Sequence, residues 1–189
     1  MRSDVDHSRN PHEAMIGLST PTLHRLRAAA NRALGDSAFT ELREAGYAGG
    51  APVFRAFLEW AASEGAESVG DLELGEFSDL IEKFFAAAGW GTLRLRPLAD
   101  VLAVVEIDDC WEAKDSQRSE APTCSITTGA LTGFLEQIAD YPMAALEYRC
   151  LSCGDERCEF VVGNPLAVQF AYEQIAAGKP IEAISAAKS

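Results

Sequence analysis

Cys124, Glu147, Cys150 and Cys158 constrain this chain more than any other four residues in it. All can act as anionic metal ligands, and the last two cysteines flank a tight turn in the segment CLSCGDERCEF. In an antiparallel pair, residues that face each other sum to a constant. A hairpin centred on Gly154 therefore sets Cys150 against Cys158, with both sulfurs on one face. Cys124 falls in the first turn of a predicted helix, where free N–H groups and the positive dipole end favour a thiolate. Three thiolates and one carboxylate make a tetrahedral set that suits zinc better than a hard cation. Such a site would pin the start of a helix onto a hairpin. Glu147 lies an odd number of residues before Cys150, which puts the two on opposite faces of a regular strand. For both to reach one ion, the strand must bulge or end between them. Cys153 is the rival fourth ligand, in a knuckle-like Cys150-x-x-Cys153 spacing. Buried thiols acting as small apolar groups, or a Cys150–Cys158 disulfide, are the other readings of the same spacing. Cys110 reads as an ordinary thiol outside the cluster.

The length of 189 residues fits one domain, here taken as 19–178, with tails at 1–18 and 179–189. Acidic residues outnumber basic ones by 29 to 16, a formal charge of −13. That field repels phosphate backbones and anionic headgroups, so nucleic acid and membrane surfaces are not expected partners. No apolar run is long enough to span a bilayer, and the first residues lack the apolar stretch of a secretory signal. The expectation is a cytoplasmic protein. In a reducing compartment, clustered cysteines point to metal or buried thiols before disulfides.

Thr20-Pro21 reads as the start of a helix carrying Leu23, Leu26, Ala30 and Leu34, closed by Gly35. A second helix starts near Ser37 with Phe39, Leu42 and Tyr47, and the GYAGGAP stretch is expected to bend or interrupt it. The clearest helix follows: Phe77, Leu80, Ile81, Phe84, Phe85 and Ala88 fall at i, i+3, i+4, i+7, i+8 and i+11. Leu93, Leu95 and Pro97 then alternate with Arg94 and Arg96 as a half-exposed strand, with residues 101–107 as its partner. Residues 112–122 are polar and read as a loop. Residues 123–139 read as a helix with Gly129 and Gly133 on one face, which admits a close helical neighbour. Two strands, near 143–151 and 156–162, precede a helix capped by Asn164-Pro165 that carries Leu166, Val168, Phe170 and Ile175. This order predicts an α+β fold with a four-stranded antiparallel sheet covered by helices.

The segments TCSITTGALTGFLEQ and EYRCLSCGDERCEF resemble the 4-vinyl reductase domain family, which also supplies sensor domains of aromatic-responsive bacterial regulators. The matching positions are Cys124, Gly129, Gly133, Glu147, Cys150, Gly154, Cys158 and Phe160, and the resemblance covers roughly residues 30–163. It implies a fold like that of TRAPP transport-complex subunits, often dimeric. It also implies a zinc site of three Cys and one Glu, favouring Glu147 over Cys153, and an apolar cavity nearby for a small hydrophobic molecule. The phenol-responsive members anchor the ligand hydroxyl with a His and a Trp. Here the histidines are His7, His12 and His24, so a phenol-type anchor is not expected.

No histidine follows position 24, so neither a Ser-His-Asp nor a Cys-His pair is expected, and no phosphate-loop or dinucleotide motif is present. Four protein ligands close a zinc site, which fits a structural role. The leading expectation is a stand-alone, zinc-stabilised binding domain, a sensor or carrier, for a small hydrophobic or aromatic ligand. Phe85, Trp90, Trp111, Phe134 and Tyr148 are its candidate pocket residues. The alternatives are an accessory protein or reductase in bacteriochlorophyll or tetrapyrrole vinyl-group metabolism, and a non-catalytic subunit that forms a homodimer.

Overall fold

The computed structural model describes residues 17–66, 68–114 and 116–186. Most of the expected 1–18 tail, with His7 and His12, lies outside the described residues. Helices α1 (Thr20–Leu34), α2 (Ala38–Ser63) and α3 (Leu74–Ala87) precede strands β1 (Thr92–Ala99) and β2 (Leu102–Asp108). Helix α4 (Ser125–Ala139), strands β3 (Ala144–Arg149) and β4 (Cys158–Gly163), and helices α5 (Pro165–Ala176) and α6 (Glu182–Ala186) follow. The strands form one antiparallel sheet in the order β1-β2-β4-β3. The α+β architecture is thus the one the sequence predicts.

Period-two alternation divides the sheet into two apolar faces. Leu93, Val105, Ile107, Phe160 and Val162 pack with Phe57, Phe77, Ile81, Phe84, Phe85 and Phe134 from α2, α3 and α4. On the other face Val104 and Val161 meet Val168, Ala171, Ile181 and Ile184 from the C-terminal segment. Central β4 is therefore buried along its whole length. Pro97 lies on edge strand β1, where a missing N–H is tolerated. The free edge of β1 is covered by α3, whose Ser78 hydroxyl accepts from Leu95 N–H and donates to Leu95 C=O.

Four expectations need correction. Helix α2 runs unbroken through GYAGGAP, with Pro52 inside it. Its glycines face α4 so closely that a Cβ on Gly46 would lie 2.1 Å from Ile126 O, and one on Gly50 2.5 Å from Gly133 C. Tight packing between the two helices outweighs the intrinsic cost of glycine and the one hydrogen bond lost at proline. Phe39 and Tyr47 are not core residues but stand half exposed. In α5 the buried positions are Val168 and Ala171, while Leu166 and Phe170 are exposed. The 179–189 tail instead turns back after Gly178 and buries Ile181 and Ile184 against the sheet.

Helix α1 buries no residue fully, and Leu26 and Leu34 face outward. Polar contacts hold it. His24 Nε2 lies 2.7 Å from Trp111 O, the two rings stack, and Arg27 donates to Glu112 O at 2.6 Å.

Candidate metal centre

Sulfurs from three elements converge beneath the N-terminus of α4. Cys124 is the N-cap of that helix, Cys150 ends the β3 extension, and Cys158 opens β4. The Sγ–Sγ separations are 3.8 Å for Cys124–Cys150, 3.7 Å for Cys124–Cys158 and 3.8 Å for Cys150–Cys158. A tetrahedral ion bound to sulfur at about 2.3 Å requires sulfurs about 3.8 Å apart, so the triangle has the edges of a metal–thiolate tetrahedron. All five cysteines are free thiols, which removes the disulfide reading.

Glu147 joins this group: its carboxylate oxygen and the three sulfurs all lie within 4.8 Å of one another, and all four residues are buried. The sheet makes room in the way that the odd offset requires. Glu147 pairs with Phe160 and Arg149 with Glu159, leaving Tyr148 as an extra residue in a bulge, after which β3 ends. The 149–159 pair has the same sum as Cys150 and Cys158, so the register centred on Gly154 holds at the strand ends. Gly154 itself takes φ +98°, a left-handed conformation that favours glycine.

The carboxylate is half satisfied. Glu147 Oε2 accepts from Cys124 N–H at 2.9 Å, whereas Oε1 is buried without a protein partner. An orphaned buried carboxylate oxygen beside three thiols is the signature expected of an anion that faces a cation. Burial, reinforced by negative charge on Cys150, pushes the Glu147 carboxyl up to about 9. The Cys150 thiol is held low by hydrogen bonds from Cys124 and Cys158. This buried Cys/Glu cluster can hold a metal ion, and its donor chemistry fits one. Outer contacts fix the ligands: Asp155 Oδ2 accepts from Cys150 N–H at 2.8 Å, Leu151 N–H points at Cys158 Sγ at 3.4 Å, and Ser152 Oγ lies 3.0 Å from Cys150 Sγ. Cys153 is half exposed and outside this group of four.

Two residues were not read as part of the site. Cys110, expected to stand apart, is fully buried with its sulfur 3.8 Å from Cys124 Sγ. Glu112, read as part of a polar loop, is also fully buried, and it receives the N-terminal amides of α4: Thr127 N–H at 2.8 Å and Ile126 N–H at 3.1 Å. Together with Glu147 on Cys124 N–H, two buried carboxylates thus neutralise the start of α4. Burial raises the Glu112 carboxyl, while the two amides and Arg27 oppose the rise. Arg27 Nη1 lies 3.5 Å from Glu112 Oε1. The Cys110–Trp111 pair before Glu112 was the only local hint, since its partners come 14 and 15 residues later. Replacing Glu112 with alanine is expected to cost about 3 kcal/mol in urea unfolding, because it strands buried amides and Arg27 together, and glutamine to cost less.

Of the five aromatic candidates, the structure brings four into one cluster. Phe85 meets Phe134 and Trp90 edge to face at 5.3 and 5.4 Å, and Trp90 meets Trp111 at 6.1 Å. Tyr148 does not join them. It sits at the bulge, packs against the opposite apolar face of the sheet, and donates to Glu159. The apolar hollow is elsewhere, between the start of α3, the end of α4 and the sheet. It measures about 300 Å³ and is lined by residues including Leu72, Leu74, Phe77, Leu95, Leu135 and Met143. A neighbouring hollow of about 260 Å³ shares Leu74, Leu95, Leu135 and Met143 with it and reaches Val162 and Gly163. Val162 and Gly163 close β4 whereas Cys158 opens it, so the hollow lies at the other end of the strand rather than beside the metal centre.

A four-stranded antiparallel sheet with helices on both faces is a fold shared with ligand-binding sensor domains and trafficking-complex subunits. The phenol-responsive sensory domain of the transcription activator PoxR, solved with phenol, matches with a TM-score of 0.65 at 18% identity, over 88% of this chain and 84% of that one. Trafficking protein particle complex subunit 3 from Naegleria fowleri, covalently bound to palmitic acid, matches at 0.56 and 18%, over 76% and 93%. A vinyl-4-reductase family protein from Methanocaldococcus jannaschii matches at 0.51 and 18%, over 82% and 87%. Within this class the chain carries a 4-vinyl reductase (4VR) domain, whose family model matches residues 103–164, from β2 to the cap of α5. An uncharacterized protein of Methanocaldococcus jannaschii is 33% identical over 89 residues, 46% of this chain and 45% of that protein, so the match spans less than half of its curated relative. Among the described residues, no helix is long and apolar enough to cross a membrane.

Proposed function

We propose that this protein is a zinc-braced binding domain for a small, uncharged hydrophobic or aromatic molecule. Cys124, Cys150, Cys158 and Glu147 hold the ion, and the hollow lined by Leu72, Leu74, Phe77, Leu95, Leu135 and Met143 receives the ligand. The observation that carries the metal half is the sulfur triangle of 3.7–3.8 Å edges facing the unpartnered Glu147 Oε1. Four protein donors close a tetrahedral shell, so the ion is structural: it ties α4 to the β3–β4 turn and thereby fixes the strand that forms the floor of the hollow.

The ligand half rests on an apolar concavity flanked by no charged side chain except Asp100 at its outer rim. The likeness to a sensory domain solved with phenol and to a subunit bound to palmitic acid supports the same assignment. A net charge of −13 favours neutral guests over carboxylates.

Thermal unfolding with phenol, indole, naphthalene and palmitate tests the ligand half. A bound guest raises the melting temperature in step with the logarithm of its excess over Kd. Met143→Trp, which fills both hollows from their shared wall, is expected to abolish the rise while zinc content stays unchanged. The reading fails if none of the four compounds shifts the wild type, or if the shift survives in Met143→Trp.

A further inference from the structure

Five donors converge on the metal centre, one more than a tetrahedral ion uses. Cys110 Sγ lies 3.8 Å from Cys124 Sγ, the same spacing as the three edges of the proposed ligand triangle, and its thiol also interacts with that of Cys158. The residue is fully buried. Its position does not depend on the ion, because its backbone is anchored separately. Cys110 C=O accepts from Ala113 N–H at 3.1 Å and Lys114 N–H at 2.8 Å, closing a turn directly after β2. A fourth sulfur is therefore presented to the edge formed by Cys124 and Cys158, whereas the carboxylate is anchored on Cys124 N–H.

We propose that Cys110 is an alternative fourth ligand, and that the softness of the ion decides between it and Glu147. Zinc, a borderline acid, accepts three sulfurs and the carboxylate oxygen. A more thiophilic ion such as cadmium gains more from a fourth thiolate than from an oxygen, and it draws Cys110 into its shell. The centre then discriminates between divalent ions by coordination set, with no change of fold. Coordination by Cys110 forms one metal–sulfur bond, releases the thiol proton to solvent, and breaks the bond to Glu147, with no change of oxidation state. This inference rests on the metal reading of Cys124, Cys150, Cys158 and Glu147.

The test compares the full chain with Cys110→Ser and Glu147→Gln, using zinc and cadmium alone. In the wild type the cadmium–thiolate absorption band is expected to match four sulfurs and to fall by about a quarter in Cys110→Ser, with cadmium affinity down by about tenfold or more. In Glu147→Gln the band stays whole, while zinc affinity in chelator competition falls by about tenfold or more. Cadmium NMR of the wild type supplies a readout that needs no variant, since its shift separates a four-sulfur shell from three sulfurs and an oxygen. A three-sulfur shift, or a band unchanged by Cys110→Ser in a protein that binds one zinc per chain, overturns the role of Cys110 alone. A wild type that binds neither ion overturns the metal reading and this inference with it.

Discussion

Replacing Cys158 with serine is expected to lower bound zinc from one per chain to a small fraction of that and to reduce the melting temperature by about 10 °C. The size follows from what the ion would leave behind. Without it the domain keeps its aromatic core, so it does not unfold outright as a zinc-finger peptide does. It retains a buried carboxylate oxygen with no partner and a cluster of thiols crowded at 3.7–3.8 Å. Breaking such a buried charged set costs about 3–5 kcal/mol, and in a domain of this size each kcal/mol lowers the midpoint by roughly 2–4 °C. Chelation of the wild type is expected to give the same shift, because the serine variant and the stripped protein lack the same bonds. Cys153→Ser is the control. It makes the same chemical change on the same turn but at a half-exposed thiol outside the four donors, and it should keep both zinc and stability. Equal losses in Cys153→Ser and Cys158→Ser, or wild-type protein without metal, would refute the assignment.

What could be read from the sequence is whatever repeats at short range. The stripe from Phe77 to Phe85 placed α3 and its buried face because a helical period shows in any window of two turns. The Cys150–Cys158 register followed from one glycine turn, and the bulge at Tyr148 followed from an odd offset. The same reasoning failed where a long-range contact reverses a local preference. Three glycines and a proline weaken α2 as an isolated helix, and only the presence of α4 shows why Gly46 and Gly50 are there. Leu26 and Leu34 suggest a buried face on α1, yet that helix is held through His24 and Arg27 on the Trp111–Glu112 backbone. Glu112 looked like a loop residue because its partners are amides of a helix 14 and 15 positions away, and backbone amides leave no trace in a residue pattern. Cys110 looked separate because only the pairing of β2 with β4 returns it to the cluster. The apolar hollow was missed for a related reason: its walls are mostly medium-sized aliphatic residues from several elements, whereas the conspicuous aromatics fill the core.

Gly129→Leu is expected to destabilise the protein by about 4 kcal/mol or more, whereas Gly49→Ala should stabilise it by up to about 1 kcal/mol. The two glycines share a helical setting and differ in what surrounds them. A Cβ at Gly129 would lie 1.9 Å from Arg43 O and 2.7 Å from Tyr47 N, backbone atoms of α2 that cannot rotate away. One at Gly49 meets nothing within 4 Å. At Gly49 alanine therefore brings only its better helix propensity and its smaller loss of chain entropy. At Gly129 the two helices must separate, and Gly133, whose Cβ would lie 2.6 Å from Tyr47 O, marks a second point of the same contact. Urea midpoints for the two variants check both signs. The Gly129 change also reaches the metal centre, since α4 carries Cys124 at its N-terminus and cannot move off α2 without displacing that sulfur from Cys150 and Cys158. Zinc affinity should therefore fall together with stability in Gly129→Leu and remain at the wild-type level in Gly49→Ala. A Gly129→Leu protein with wild-type stability would mean that α2 and α4 do not approach as closely as these contacts require.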